Sequence, residues 1–217
     1  MDTDSVRRQM VEQQIRTWDV SETSLLDLLD ELPRHRFVPA GYRQLAYADV
    51  EIPLRHGEKM MRPLLEGRLL QSLALSTADT VLEVGTGSGY LSACIARQCA
   101  RLVSIDLHDD FLGGAADILE ELGIRNVTLQ QRDALRDGLP DGTFDAIAIT
   151  GSLPELDQGM ITSLKPGGRM FVICGEMPIM EALLVTRGAE TEWTQTSLFE
   201  TCMPALRHVR KHSTFVF

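Results

Sequence analysis

A strand-like run, Val81-Leu82-Glu83-Val84, leads directly into Gly85-Thr86-Gly87-Ser88-Gly89 and then into a helical segment that starts at Tyr90. Alternating glycines suit a tight turn that lets a ligand come close to the backbone. A dinucleotide fingerprint, G-x-G-x-x-G, exposes a helix N-terminus to a pyrophosphate. Here the third glycine comes one residue early, and Glu83 stands two residues before the first. A carboxylate at that point would repel a pyrophosphate and suits a ligand carrying an ammonium group, as S-adenosylmethionine does.

Two further acids extend the pattern. Asp106 lies 21 positions after Gly85, at the end of a second strand-like run (Leu102–Ile105), where an acid can accept both hydroxyls of a ribose. That spacing also occurs in nicotinamide-dependent enzymes. Asp133, in Arg132-Asp133-Ala134, follows a third such run, where a carboxylate could meet an adenine amino group. Together the acids belong at the carboxyl ends of adjacent strands, which is where open α/β sheets bind ligands. The remaining chemistry-bearing types are less informative. No G-x-S-x-G elbow marks a hydrolase. His208 and His212 are four apart but lie in an extended-looking segment without an acidic or cysteine partner, so no metal site is expected. His56, beside Gly57, could act as a base for a weakly acidic nucleophile, although a surface position suits it better. Cys94, Cys99, Cys174 and Cys202 lack CxxC spacing and read as reduced, buried, small apolar residues.

The elements that must position these residues follow from periodicity. Helical spacing of apolar residues runs from Asp2 to about Leu32, as two helices with Ser21 as a cap for the second. Pro33 ends them, and residues 34–63 read as an irregular segment rich in Pro, Gly and Arg. Leu64–Leu75 is a further helix. Strands are expected at Val81–Val84, Leu102–Ile105, Val127–Gln130, Phe144–Ile149 and Arg169–Cys174, with helices at Tyr90–Cys99, Phe111–Leu122 and Leu156–Leu164. Such alternation predicts an α/β fold, a Rossmann-like and mostly parallel sheet with helices on both faces and an N-terminal helical extension. Met180–Arg187 reads as a helix, and strand-like runs near Thr194–Phe199 and His212–Phe217 would close the sheet with a hairpin. We expect one compact domain, in which residues 1–63 form the helical extension and substrate-side loop and 64–217 the cofactor-binding core.

Composition narrows the partners. With 217 residues and 44 % hydrophobic content the chain can bury one sizeable core. A net charge of −10 repels a nucleic-acid backbone. The exception, the tail Arg207, His208, Arg210, Lys211 and His212, reads as a solvated end. No apolar stretch approaches the roughly 20 residues that span a bilayer, and the N-terminus lacks the order of a signal peptide. A cytoplasmic protein acting without nucleic acid or membrane is expected.

At this point the residues match a known family. Most of the chain resembles the protein-L-isoaspartate (D-aspartate) O-methyltransferases, through Met10-Val11-Glu12-Gln13-Gln14-Ile15, Pro33-Arg34-His35-Arg36-Phe37-Val38-Pro39, Ala46-Tyr47-Ala48-Asp49, Leu82 to Tyr90, Phe144-Asp145-Ala146-Ile147 and Leu164-Lys165-Pro166-Gly167-Gly168-Arg169. The glycine turn and the Lys-Pro-Gly-Gly run are shared by many S-adenosylmethionine-dependent methyltransferases; the N-terminal segments characterise this family. The resemblance implies a Rossmann-like methyltransferase that moves a methyl group from S-adenosylmethionine to the carboxylate of isoaspartyl residues in damaged proteins, leaving S-adenosylhomocysteine. It implies cofactor contacts at Gly85, Gly87, Asp106 and Asp133. The wider expected set adds Glu83, Thr86, Ser88, Gly89 and Ala134.

Two departures stand out. The family's Thr-Ile-Ser run after the glycine corresponding to Gly57 is replaced, so that Lys59 stands for the threonine and Met61 for the serine usually credited with catalysis. After the fourth strand, Thr150-Gly151-Ser152 replaces Thr-Ala-Ala. Lys59 and Arg62 could instead hold a substrate carboxylate. The acceptor is thus a protein or peptide carboxylate, an unidentified small molecule, or, in a regulatory relative without turnover, a partner that binds the altered loop.

Overall fold

The computed structural model describes residues 3–189 and 192–209. The N-terminal run folds as α1 (Thr3–Met10), a π turn over Val11–Ile15, and α2 (Thr23–Glu31). Met10, Val11, Ile15, Leu25, Leu26 and Leu29 are buried, as their helical spacing requires. Ser21 does not cap α2. The flanking residue is Glu22, without a side-chain cap, and the Ser21 amide donates to Gln71 Oε1 at 2.6 Å. The irregular segment holds three short 3₁₀ turns and a two-stranded antiparallel ribbon of β1 (Ile52–Pro53) and β2 (Lys59–Met60). Next comes α3 (Pro63–Leu73), whose proline sits where a missing N–H costs the helix nothing.

The core continues with β3 (Thr80–Val84), α4 (Tyr90–Ala96), β4 (Arg101–Asp106), α5 (Asp109–Glu121), β5 (Val127–Gln131), β6 (Phe144–Leu153), α6 (Gln158–Thr162), β7 (Leu164–Glu176), β8 (Ile179–Arg187) and β9 (Trp193–Thr201). One seven-stranded sheet results, in the order β5-β4-β3-β6-β7-β8-β9. The neighbours from β5 to β7 are parallel, whereas β8 and β9 pair antiparallel.

Here the structure corrects one expectation: Met180–Arg187 is strand, not helix. Its Met, Glu, Ala and Leu residues favour a helix in isolation. They lie between β7 and β9, however, and pair with β7 from Met180 to Thr186 and with β9 from Met180 to Arg187. Sheet pairing and burial on a pleated surface outweigh intrinsic propensity. The strand expected at His212–Phe217 lies outside the described residues.

Alternation divides the sheet residues between two faces. Val81, Ala146, Ala148, Phe171 and Ile173 join a core with the N-terminal helices, α3 and α4. Leu82, Val84, Ile147, Ile149, Met170 and Val172 join the opposite core with Met160 and Ile161 of α6. Burial on both faces explains why these strands read as continuous apolar runs. The chain moves outward from β3 through β4 to β5 and then returns to β6 on the other side of β3. That reversal opens a crevice at the carboxyl ends of β3 and β6, the position at which such sheets bind ligands. Cys94 and Cys99 are buried as expected; Cys174 is half-buried, Cys202 is exposed, and all four are free thiols.

Candidate functional site

The glycine turn leaves β3 at this reversal. Gly85 has φ +98°, and a Cβ there would meet Thr150 Oγ1 at 2.1 Å. Thr150, at the matching level of β6, uses that hydroxyl to donate to the carbonyls of Val84 at 2.8 Å and Gly85 at 2.9 Å. Gly89 has φ +82°, and its Cβ would come within 2.7 Å of Ala115 on α5. Two of the three glycines are therefore required by close packing of the turn itself. Gly87 faces the open crevice, and its amide donates to Asp106 Oδ2 at 2.9 Å.

A cleft of about 880 Å³, open mouth included, lies above the turn. The structure brings Gly85, Gly87, Asp106, Asp133 and Ala134 together on its walls, with Lys59 and Met61 facing them from the loop around β2. Asp106 is 8 % exposed. Burial raises its pKa, against the two backbone hydrogen bonds it accepts from Gly87 and, at 2.9 Å, from His108. Asp133 caps the turn that follows it, accepting at Oδ1 from the amides of Leu135 at 3.0 Å and Arg136 at 3.2 Å.

Other expected residues lie elsewhere. The Glu83 carboxylate, expected to face a cationic ligand, is fully buried beneath the turn. Its Oε2 accepts from Ser104 Oγ at 2.6 Å and from Ser92 Oγ. Burial pushes its pKa up to about 8, so it is mostly neutral at pH 7 and serves no charged partner. Thr86 is buried, its hydroxyl 2.6 Å from Ser104 Oγ, which links the turn to Glu83. Ser88 and Gly89 are not on the cleft wall. Lys59 forms an ion pair with Glu51 at 2.6 Å, and Arg62, off the cleft wall, lies 3.9 Å from Asp49.

Several positioning residues have no local sequence signal. Arg34 is completely buried and ties the irregular segment to the core. It donates to the carbonyls of Ala46 at 2.8 Å and Met61 at 2.6 Å, pairs with Glu66 on α3, and lies over the Tyr90 ring. Its partners are 12, 27 and 32 residues away, beyond the reach of any spacing rule. The far wall of the cleft is formed by Met203–Arg207, near the end of the chain. This segment docks on Ser152, whose amide donates to Pro204 O at 2.9 Å and whose carbonyl accepts from the Leu206 amide at 3.0 Å. A Cβ on Gly151 would meet Leu206 at 2.6 Å, so glycine at this departure from the family pattern makes room for the segment. Arg207 then reaches Glu58 at 2.6 Å, and His208 Nδ1 lies 2.6 Å from Asp133 Oδ2. These two residues of the basic tail are paired with acids at the cleft while remaining exposed to solvent. No helix among the described residues is long and apolar enough to cross a membrane.

Comparison with known proteins follows this geometry. Residues 5–203 match the family model described as protein-L-isoaspartate(D-aspartate) O-methyltransferase. A protein-L-isoaspartate O-methyltransferase of Methanoculleus marisnigri is 32 % identical over 196 residues, covering 88 % of this chain and 89 % of that one. One from Roseiflexus castenholzii is 33 % identical, covering 90 % and 89 %. Among solved structures, a Plasmodium falciparum protein described as a protein-L-isoaspartate O-methyltransferase in complex with S-adenosyl-L-homocysteine shares the fold, with a TM-score of 0.79, 17 % identity and coverage of 93 % and 98 %.

Proposed function

The chain belongs to the protein-L-isoaspartate (D-aspartate) O-methyltransferase family, and from that premise we propose that its cleft methylates the carboxylate of isoaspartyl residues in protein or peptide substrates. One observation carries the site assignment. Gly87, Asp106 and Asp133 converge on a single cleft over the sheet's reversal point, with Met61 on the facing loop.

The residues present fit S-adenosylmethionine. The turn at Gly85 and Gly87 brings backbone against the crevice, Asp106 is the acceptor for ribose hydroxyls, and Asp133 with Ala134 suits the adenine edge. S-adenosylmethionine supplies an electrophilic methyl group on a sulfonium. A carboxylate acceptor, with a pKa of about 4, is already ionised at neutral pH, so the protein has no proton to remove. Its contribution is alignment, and a fixed near-attack geometry alone can account for a large share of the barrier reduction. The Arg34 clamp on the Met61 carbonyl fixes the acceptor-side loop, and the Met203–Arg207 wall narrows access for water. Methylation of soluble protein in the cytoplasm is consistent with this chemistry.

A labelled-methyl assay tests the reading, using an isoaspartyl peptide, its normal aspartyl twin and a cell lysate. Label on the isoaspartyl peptide alone among the peptides supports it; label on neither peptide but on a lysate component sinks it. A second reading, a loop reshaped for another acceptor, is favoured by the engagement of Lys59 with Glu51 and by the apolar side chain of Met61. It expects Lys59→Thr with Met61→Ser to gain little on isoaspartyl peptide. A weakened isoaspartyl enzyme would instead gain up to about 10² in rate from the restored hydroxyl.

A further inference from the structure

Beside the cofactor end of the cleft, two segments far apart in sequence bring imidazoles and carboxylates together. His56 lies in the 3₁₀ turn before β2, His108 directly precedes α5, and Asp110 is in the first turn of α5. The ligand-capable atoms of these three side chains all lie within 4.8 Å of one another, the one such group among the described residues. The His56 and His108 rings are stacked, with centroids 3.9 Å apart and planes 10° from parallel, and the edge of Phe111 fixes both.

Three further observations point at a ligand for this cluster. His108 Nε2 is buried without a hydrogen-bond partner, although buried ring nitrogens are normally satisfied. Its nearest acid is Glu58, whose Oε1 is 3.8 Å away, too far for a hydrogen bond. Two ligands of one tetrahedral zinc-sized ion stand roughly 3.3–3.5 Å apart; since an imidazole binds a metal in its own plane, one of the two stacked rings must turn out of parallel as the atoms close onto a shared ion. His56 holds a left-handed backbone, φ +59°, which a histidine adopts only at a cost. That conformation directs its Nε2 to Asp110, 2.9 and 3.1 Å from the two carboxylate oxygens.

We propose that His56, His108 and Asp110, with Glu58 as a fourth ligand, form a binding site for a transition-metal dication such as Zn²⁺ or Co²⁺ at the mouth of the cleft. Two imidazoles and two carboxylates are the donor set of these borderline ions, whereas Mg²⁺ and Ca²⁺ take oxygen ligands in larger number. Guanidinium groups now hold the two carboxylates, Arg55 on Asp110 at 3.1 Å and Arg207 on Glu58 at 2.6 Å. The ion competes with these cations, so its affinity is expected to be micromolar rather than that of a closed structural site. Glu58 and His108 also line the cleft, so the ion faces the space an acceptor enters.

The experiment titrates EDTA-dialysed full-length protein with Zn²⁺ by calorimetry. A Cys202→Ser, His212→Ala background removes an exposed thiol and a tail imidazole. Binding of one equivalent at micromolar affinity, weakened at least about tenfold by His56→Ala and by His108→Ala, bears the proposal out. Asp110→Asn carries the comparison if a histidine variant fails to fold. Co²⁺ added to the parent protein should give the intense visible bands of a four-coordinate site. Affinity no tighter than millimolar, affinity indifferent to the three replacements, or a Co²⁺ spectrum like that of the aqueous ion overturns it.

Discussion

Replacing Glu83 by glutamine tests the claim that this carboxyl is a neutral structural group and not a counter-ion. In the folded protein its pKa stands at about 8 against an ordinary 4.5. The folded state therefore keeps a proton that the unfolded chain releases between those values. With more protons bound in the folded state, stability falls as pH rises, by about 1.4 kcal/mol per unit while one proton differs. The contribution is fully present below the unfolded value and lost as pH passes through about 8. Integrated from pH 5 to pH 8, the loss is about 3–4 kcal/mol. Glutamine carries no such proton but retains an oxygen to accept from Ser92 and Ser104. Urea unfolding across that pH window should show the wild type losing stability more steeply than Glu83→Gln, with the two curves running together below about pH 4.5 and separating as pH rises towards 8. Glu66 and Asp106, whose pKa values are also raised, titrate in both proteins and cancel from the difference apart from their smaller coulombic coupling to Glu83. Parallel curves would refute the reasoning.

Three further outcomes follow from the site. Asp106→Ala removes the carboxylate proposed to accept the ribose hydroxyls and should weaken S-adenosylhomocysteine binding by about 10- to 100-fold in calorimetry. Arg34→Met strips Glu66 of its buried partner and Met61 of its clamp; it should cost about 3–5 kcal/mol in urea unfolding, and a loss below 1 kcal/mol would contradict the clamp. Gly85→Ala places a Cβ 2.1 Å from Thr150 Oγ1 at φ +98°, with an expected cost of about 2 kcal/mol or more from backbone strain and contact together. Adding Thr150→Ala should recover part of the lost melting temperature by removing the contact but not the strain.

What was legible in the sequence was what local pattern encodes. Runs such as Leu102–Ile105 and Phe144–Ile149 are apolar on both faces, so the parallel strands could be read directly, and with them the crevice where Gly87, Asp106 and Asp133 meet. Met180–Arg187 was misread because its composition favours a helix while its partners, β7 and β9, decide otherwise. Side-chain direction within the turn was also not legible. The register of β3 that puts Val84 on the cleft wall turns Glu83 inward onto Ser92 and Ser104. The Arg34–Glu66 pair and the docking of Leu206 on Ser152 depend on contacts that close only when the chain is folded. Arg207 and Glu58, for example, are 149 residues apart.

That last contact has a bearing on how the protein is made. The wall formed by Met203–Arg207 leaves the ribosome after every described strand of the sheet and the rest of the described cleft lining. Until those residues emerge, the glycine turn and Asp106 sit in an unroofed groove. A chain cut just before Met203 would lose Met203 from one hydrophobic core and Leu206 from the margin of the other, together with one side of the cleft. Closure of the cleft thus waits on the docking of Met203–Arg207 against Ser152, a step later than the pairing of the strands that carry the glycine turn and Asp106.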